Sequence, residues 1–142
     1  MITPKAAGIL YFHDGKILLI RRAAGAGDWP GHWALPGGGI EDGETPEVAA
    51  ARESEEEVSR TPSVPLLYLW TCPNGFVTYG AKDGAFEPSF DGVGGDEHDS
   101  WGWFGLDELP SPLHPEFKRG LFDKLAEKML VKGLKERQNA AG

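Results

Sequence analysis

The segment Gly37-Gly-Gly-Ile-Glu-Asp-Gly-Glu-Thr-Pro46 runs directly into Glu47-Val-Ala-Ala-Ala-Arg-Glu-Ser-Glu-Glu-Glu-Val58. Its first half is dense in glycine and turn residues, whereas no glycine or proline follows Pro46 as far as Ser59. Thr45 can accept an orphan backbone N–H as an N-cap, and Pro46 suits the first helical position, where its missing N–H is not needed. The pair predicts a helix over 46–59. At about 100° per residue, Glu53, Glu56 and Glu57 fall within an arc of roughly 100°, while Val48, Ala51 and Val58 face away from its centre.

Like charges at these spacings destabilise a helix by about 0.2–0.5 kcal/mol per pair. A bound cation would reverse that sign. All-oxygen ligands select hard cations, and a site open to water and phosphate suits Mg²⁺ or Mn²⁺ better than zinc. Arg52 lies one residue before Glu53 and four before Glu56, so it can pair with a glutamate and fix its orientation. Taken alone, a triple glutamate is also what any solvated helix face shows. The run Gly37, Gly38 and Gly39 reads as a loop whose backbone can approach phosphate oxygens ahead of a helix N-terminus.

Outward from this segment the chain reads as strands. Ala6 to Phe12 and Lys16 to Arg21 are apolar runs joined by the hairpin dipeptide Asp14-Gly15. The stretch from Ala23 to His32 carries no period and reads as loop, and Trp33 to Leu35 is a short apolar strand. Beyond Pro62 and Pro65, strands are expected over 66–71, 76–79 and 101–104. Pro115 opens a last helix in which Phe117, Leu121, Leu125 and Met129 share one face. The order strands, helix, strands, helix predicts a mixed β-sheet between helices, an α/β/α sandwich. A single domain over 1–131 is expected, with a polar tail over 132–142 that is frayed or disordered.

The chain has 142 residues and a net charge of −8, from 22 acidic against 14 basic residues. Such a surface repels polyanions, so no long nucleic acid is expected as partner. A small phosphorylated ligand is compatible, because a divalent cation inverts the local field. The lone Cys72 excludes an internal disulfide and a cysteine-based zinc centre. No apolar run reaches the ~20 residues of a membrane span, so no membrane partner and a cytoplasmic location are expected.

The full spacing is Gly38, five residues, Glu44, seven residues, Arg52-Glu53, two residues, Glu56-Glu57. It resembles the signature of the Nudix hydrolase family, the MutT-like pyrophosphohydrolases, and the approach Trp33-Ala-Leu-Pro36 resembles theirs as well. The motif spans 38–60, and the flanking strand pattern extends the similarity over most of residues 5–130. Ser54 and Arg60 stand where an aliphatic residue is usual, and Ser59 where glycine is usual; the first thins the packing face and the last removes an easy left-handed cap.

The resemblance implies a Nudix-type α/β/α sandwich that hydrolyses a diphosphate linkage in a nucleoside diphosphate derivative: a nucleoside triphosphate, a nucleotide sugar or a dinucleotide. It implies Mg²⁺ or Mn²⁺ held by Glu53, Glu56 and Glu57 with the Gly38 carbonyl, and water activated by that metal. Glu53 is one candidate base. Glu97, in the acidic loop over 91–100, resembles the outer glutamate that many members use as ligand or base. His98 is read as a loop histidine without catalytic duty.

Arg21 and Arg22 should face opposite sides of their strand, so at most one reaches a phosphate, and Arg22 is the choice. Trp33 and Trp103 are expected in the core, while Trp29 is placed to stack on a base. The expected assembly is a monomer or homodimer. Two alternatives share the fold: a catalytically silent nucleotide-sensing module, which the intact Arg52, Glu53, Glu56 and Glu57 disfavour, and a diphosphate isomerase, which the lone Cys72 disfavours.

Overall fold

The computed structural model describes residues 2–92 and 97–123. Leu125, Met129 and the tail over 132–142 lie outside the described residues. Apolar residues run unbroken through the middle of β1 (Ala6–His13) and β2 (Lys16–Arg22), and the strands meet in an antiparallel hairpin. Asp14 and Gly15 take φ of 53° and 78°, the positive pair a tight type I′ turn demands.

Strand β1 is the hub. It pairs in parallel with β6 (Phe76–Ala81) and antiparallel with β4 (Gly37–Gly39). Strands β3 (Trp33–Ala34) and β7 (His98–Gly105) both add to β2, and β5 (Leu67–Thr71) adds to β6. The result is a mixed sheet with the path β3-β2-β1-β6-β5.

Period-two alternation divides the core between the two faces of this sheet. Ala7, Ile9, Tyr11 and Leu18 pack with Ala49 and Ala50 of helix α1 (Pro46–Val58). Leu10, Ile17 and Leu19 pack on the other face with Phe117 and Leu121 of helix α2 (Pro115–Asp123). This is the α/β/α sandwich expected from the element order. Thr45 caps α1 by accepting from Val48 N at 3.2 Å. Of the residues facing away from the carboxylate arc, Val58 is buried but Val48 is 55% exposed. Small Ala49 and Ala50 bring the helix onto the sheet instead.

The glycine run differs from its sequence reading. Gly37–Gly39 is a strand, registered as Ala6↔Gly39, Ala7↔Gly38 and Gly8↔Gly37. A Cβ on Gly37 would stand 2.7 Å from Ala7 O and Gly8 Cα, closer than real contacts allow. Absent side chains here serve close packing as well as backbone access, and a run with no side chains shows no strand period to read.

The three motif departures join in one structure. Ser54 is fully buried; its hydroxyl meets Tyr11 Oη at 2.5 Å and donates to Arg60 O at 2.7 Å. Ser59 itself takes the left-handed cap, φ 58°, and its N–H reaches Glu55 O at 3.1 Å. The Ser59 hydroxyl also donates to Ser89 O at 3.2 Å, which holds a conformation usually left to glycine. Arg60 lies over the Phe86 ring at 4.7 Å and pairs with Asp83 at 3.1 Å. Ser54 thus keeps the packing face closed through hydrogen bonds rather than aliphatic bulk.

Candidate active site

Helix α1 runs alongside β4, so its last two turns deliver carboxylates against the glycine strand. Glu57 is only 5% exposed, and its Oε1 accepts from Gly37 N at 2.7 Å. Burial, helped by the like charges of Glu53 and Glu97 and opposed by the Gly37 N–H, pushes the Glu57 carboxyl up to about 8. Glu53 sits against Gly38: a Cβ there would stand 2.5–2.7 Å from the Glu53 carboxyl group. Burial also raises the Glu53 carboxyl, against the pull of Arg52.

Arg52 stands among the other carboxylates. Its Nε and Nη2 donate to the two oxygens of Glu44 at 2.8 and 3.0 Å, and Nη2 also donates to Gly39 O at 2.8 Å. Nη1 reaches Glu53 Oε1 and Glu56 Oε2, each at 3.1 Å. The fork therefore separates Glu53 from Glu56 while tying the helix to the segment before it. Its hydrogen bonds hold the Glu44 carboxyl below the usual range. Glu44 had no role assigned from sequence beyond its place in the spacing. That spacing was the available signal, because an arginine this crowded by glutamates needs a partner that fixes its own position.

Among the described residues no three carboxylate, imidazole or thiol groups converge into a ready-made cage. The reason is visible in the contacts: Arg52 occupies the space between Glu53 and Glu56, and Glu57 is turned toward Gly37. The donor set nonetheless suits a hard divalent cation, since only carboxylate and carbonyl oxygens gather here. Burial raises the Glu53 and Glu57 carboxyl groups, and the charge of Glu97 raises both further, which marks a place that favours added positive charge.

Glu97 precedes β7, is exposed, and accepts from Ala23 N through its backbone carbonyl at 2.8 Å. Its side-chain charge acts on both Glu53 and Glu57, so the chain brings it to the same place. His98 is not a loop residue. It opens β7 opposite Arg22 and is 5% exposed, and burial, reinforced by Arg22, pushes its imidazole down to about 4. It is neutral near pH 7.

Arg21 and Arg22 diverge as strand alternation requires. Arg21 pairs with Asp99 at 2.8 Å, and Arg22 donates to Asp28 O and Oδ1, both at 2.6 Å. Trp29 follows Asp28 with φ 49°, 46% exposed, and its ring lies edge-on to His32 and His114 at 5.3 and 5.9 Å. Trp33 and Trp103 pack on the edges of the two cores, each only partly buried.

A cleft opens between the sheet and the start of α2, with Arg22, Leu35, Phe76, His114, Glu116 and Phe117 among its walls. Gly37 lines it too, so this strand residue borders both the cleft and the carboxylate cluster. His114 and Glu116 went unseen in the sequence. Only their place around Pro115, at the predicted helix start, hinted at them.

The NUDIX domain model matches residues 2–125, and the chain belongs to that family. It is 36% identical to an RNA pyrophosphohydrolase of Caulobacter vibrioides, over 82% of this chain and 79% of that one. It is 39% identical to the nucleoside triphosphatase NudI of Escherichia coli over 53% of each. Among solved structures, the MutT NUDIX hydrolase of Burkholderia pseudomallei superposes with a TM-score of 0.70 at 33% identity, covering 84% of this chain and 96% of that one. With these likenesses the chain is assigned as a pyrophosphohydrolase enzyme. Among the described residues no helix is long and apolar enough to cross a membrane.

Proposed function

We propose that this chain cleaves the diphosphate linkage of a nucleoside diphosphate derivative, a free nucleotide or a nucleotide end, with Mg²⁺ or Mn²⁺ bound by Glu53, Glu56, Glu57 and the Gly38 carbonyl. The observation that carries this reading is Glu57: a buried carboxyl held on Gly37 N, raised by burial and by two neighbouring carboxylates. Bound there, the metal would neutralise diphosphate charge and favour in-line attack by water. Arg52 orients Glu53 and Glu56 and keeps them apart until they are needed. Glu53 and Glu97 are the two carboxylates proposed to take the proton of the attacking water. A water oxygen bonds to one phosphorus, the bridging P–O bond breaks, and the bridging oxygen leaves on the other phosphate.

Gly37, Gly38 and Gly39 offer close approach to the phosphates, although Gly37 N and Gly39 O are already engaged by Glu57 and Arg52. Arg22, held in place by Asp28, lines the cleft, and Trp29 lies against His114, another of its walls. The RNA pyrophosphohydrolase and nucleoside triphosphatase relatives support a phosphorylated nucleoside as substrate.

The test is incubation with Mg²⁺ or Mn²⁺ and a panel of nucleoside triphosphates, nucleotide sugars, dinucleotides and 5′-triphosphorylated oligonucleotides. Cleavage at a diphosphate linkage in at least one class is expected, and no metal-dependent turnover of any would overturn the proposal. Glu97→Gln should lower kcat by ~10²–10⁴ if Glu97 is the base. A drop below about tenfold assigns that task to Glu53.

A further inference from the structure

Glu56 and Glu57 sit in the last turn of α1 together with Glu55, and no basic residue shares that turn. The C-terminal end of a helix carries negative partial charge, so carboxylates there are disfavoured by the helix as well as by one another. The last carbonyls also lack partners within the helix. This is the turn that α1 would lose first by fraying, yet it carries two of the proposed metal ligands.

The chain closes this turn from outside. Ser89 N donates to Val58 O at 3.1 Å, and the Ser59 hydroxyl donates to Ser89 O at 3.2 Å, so both backbone groups of Ser89 are tied to the helix exit. Further along, the backbone at Gly92 passes so near that a Cβ would stand 3.1 Å from Glu56 O and 3.5 Å from Ser59 Oγ. Ser59 makes its bond from φ 58° and ψ 40°, left-handed backbone that glycine adopts freely and other residues adopt at a cost. A cap alone would be better served by glycine. The hydroxyl is what glycine cannot supply, and it reaches out of the helix to the 89–92 segment. Arg52 and Gly37 N fix the ends of the Glu56 and Glu57 side chains, whereas this clamp fixes the backbone that bears them.

We propose that Ser59 is a positioning residue for the metal ligands: its hydroxyl bond to Ser89 locks the last turn of α1 against the 89–92 segment and keeps the Glu56 and Glu57 carboxylates at the spacing a divalent cation requires. Ligands held in place beforehand lose less freedom when the ion binds. This role rests on the proposed metal site, but metal binding tests it without turnover. Ser59→Gly separates cap from clamp, because it eases the left-handed backbone and removes the hydroxyl.

The experiment titrates the full natural chain and Ser59→Gly with Mn²⁺ alone, well below their melting range, and follows the loss of the free ion's paramagnetic resonance signal. The variant should bind Mn²⁺ about three- to tenfold more weakly, the weight of one hydrogen bond. Its Ser89 amide should exchange faster with solvent by a similar factor, although its melting temperature stays within a few degrees of the natural chain's. With the best substrate of the panel, the Mg²⁺ concentration for half-maximal rate should rise in step, whereas kcat at saturating Mg²⁺ should change by less than about twofold. Equal Mn²⁺ affinity in the two proteins, or an unchanged Ser89 amide, would overturn the role of Ser59 and leave the metal site standing. Mn²⁺ bound by neither protein would overturn the metal site, and the role of Ser59 with it.

Discussion

Helix α1 carries polar groups on two sides, and they are handled in opposite ways. Toward β4, Glu44, Glu53 and Glu56 share one guanidinium: Arg52 is 24% exposed and Glu56 34%. Toward β1, Ser54 is sealed completely, and Asp83 in the same network keeps a side-chain exposure of 5%. The first set is ionic, crowded and reachable, so its partners can be exchanged. The second is a hydrogen-bonded chain from Tyr11 and Ser54 through Arg60 to Asp83 and Ser63, anchored on the buried Tyr11, Ser54 and Asp83. One helix thus divides its polarity into a part that works and a part that fastens.

Changing Glu57→Gln should separate the two sides most sharply. Glutamine keeps an acceptor for Gly37 N but cannot become the anion that a bound metal would call for, so turnover should fall about 10³-fold, the several kcal/mol of a lost metal contact. The melting temperature should not fall. Full activity in a folded variant would remove the carboxylate side from the chemistry.

Ser54→Ala is the complementary change. It strips the buried Tyr11 hydroxyl and Arg60 carbonyl of their shared partner and should cost ~1–3 kcal/mol in denaturant unfolding. The kcat of the folded protein should stay within about twofold. A large loss of rate with unchanged stability would mean that the two sides are not separate.

The smallest effect is a pH dependence. Burial alone would raise the Asp83 carboxyl, but hydrogen bonds from the Ser63 side chain and backbone, Gly84 N and Arg60 overcome it and hold it well below the usual range. A folded-state value below the unfolded value of about 3.9 means that this stability is present above about pH 4 and is lost as the pH falls further. Melting curves of the natural chain and Asp83→Asn should therefore differ near neutrality and draw together in acid. A gap that persists to the lowest pH would contradict the assignment.

Much of this comparison was readable in the sequence, for a physical reason in each case. The hairpin of β1 and β2 was visible because two apolar runs of strand length joined by an Asp-Gly turn have no other economical solution. Helix α1 was visible through Thr45-Pro46, and its carboxylate face through fixed spacing. Strand β4 was not, because glycine carries no side-chain period and its fit depends on Ala7 and Gly8, about thirty residues earlier. The serine side looked like lost packing because Ser54, Ser59 and Arg60 were judged singly. Their partners Tyr11, Asp83 and Ser89 are distant in the chain. The cleft was invisible for the same reason: Arg22, Phe76 and Glu116 come together only when the sheet is built.

The Arg52 fork has a consequence for how such a chain is made. Glu44, Glu53 and Glu56 are gripped by one guanidinium of the same molecule, which does not cancel their charge but ties the cluster together from within. If the cluster holds the metal proposed above, a newly synthesised chain would finish folding before meeting it, and removing the metal afterwards would withdraw a reagent without dismantling the vessel that held it.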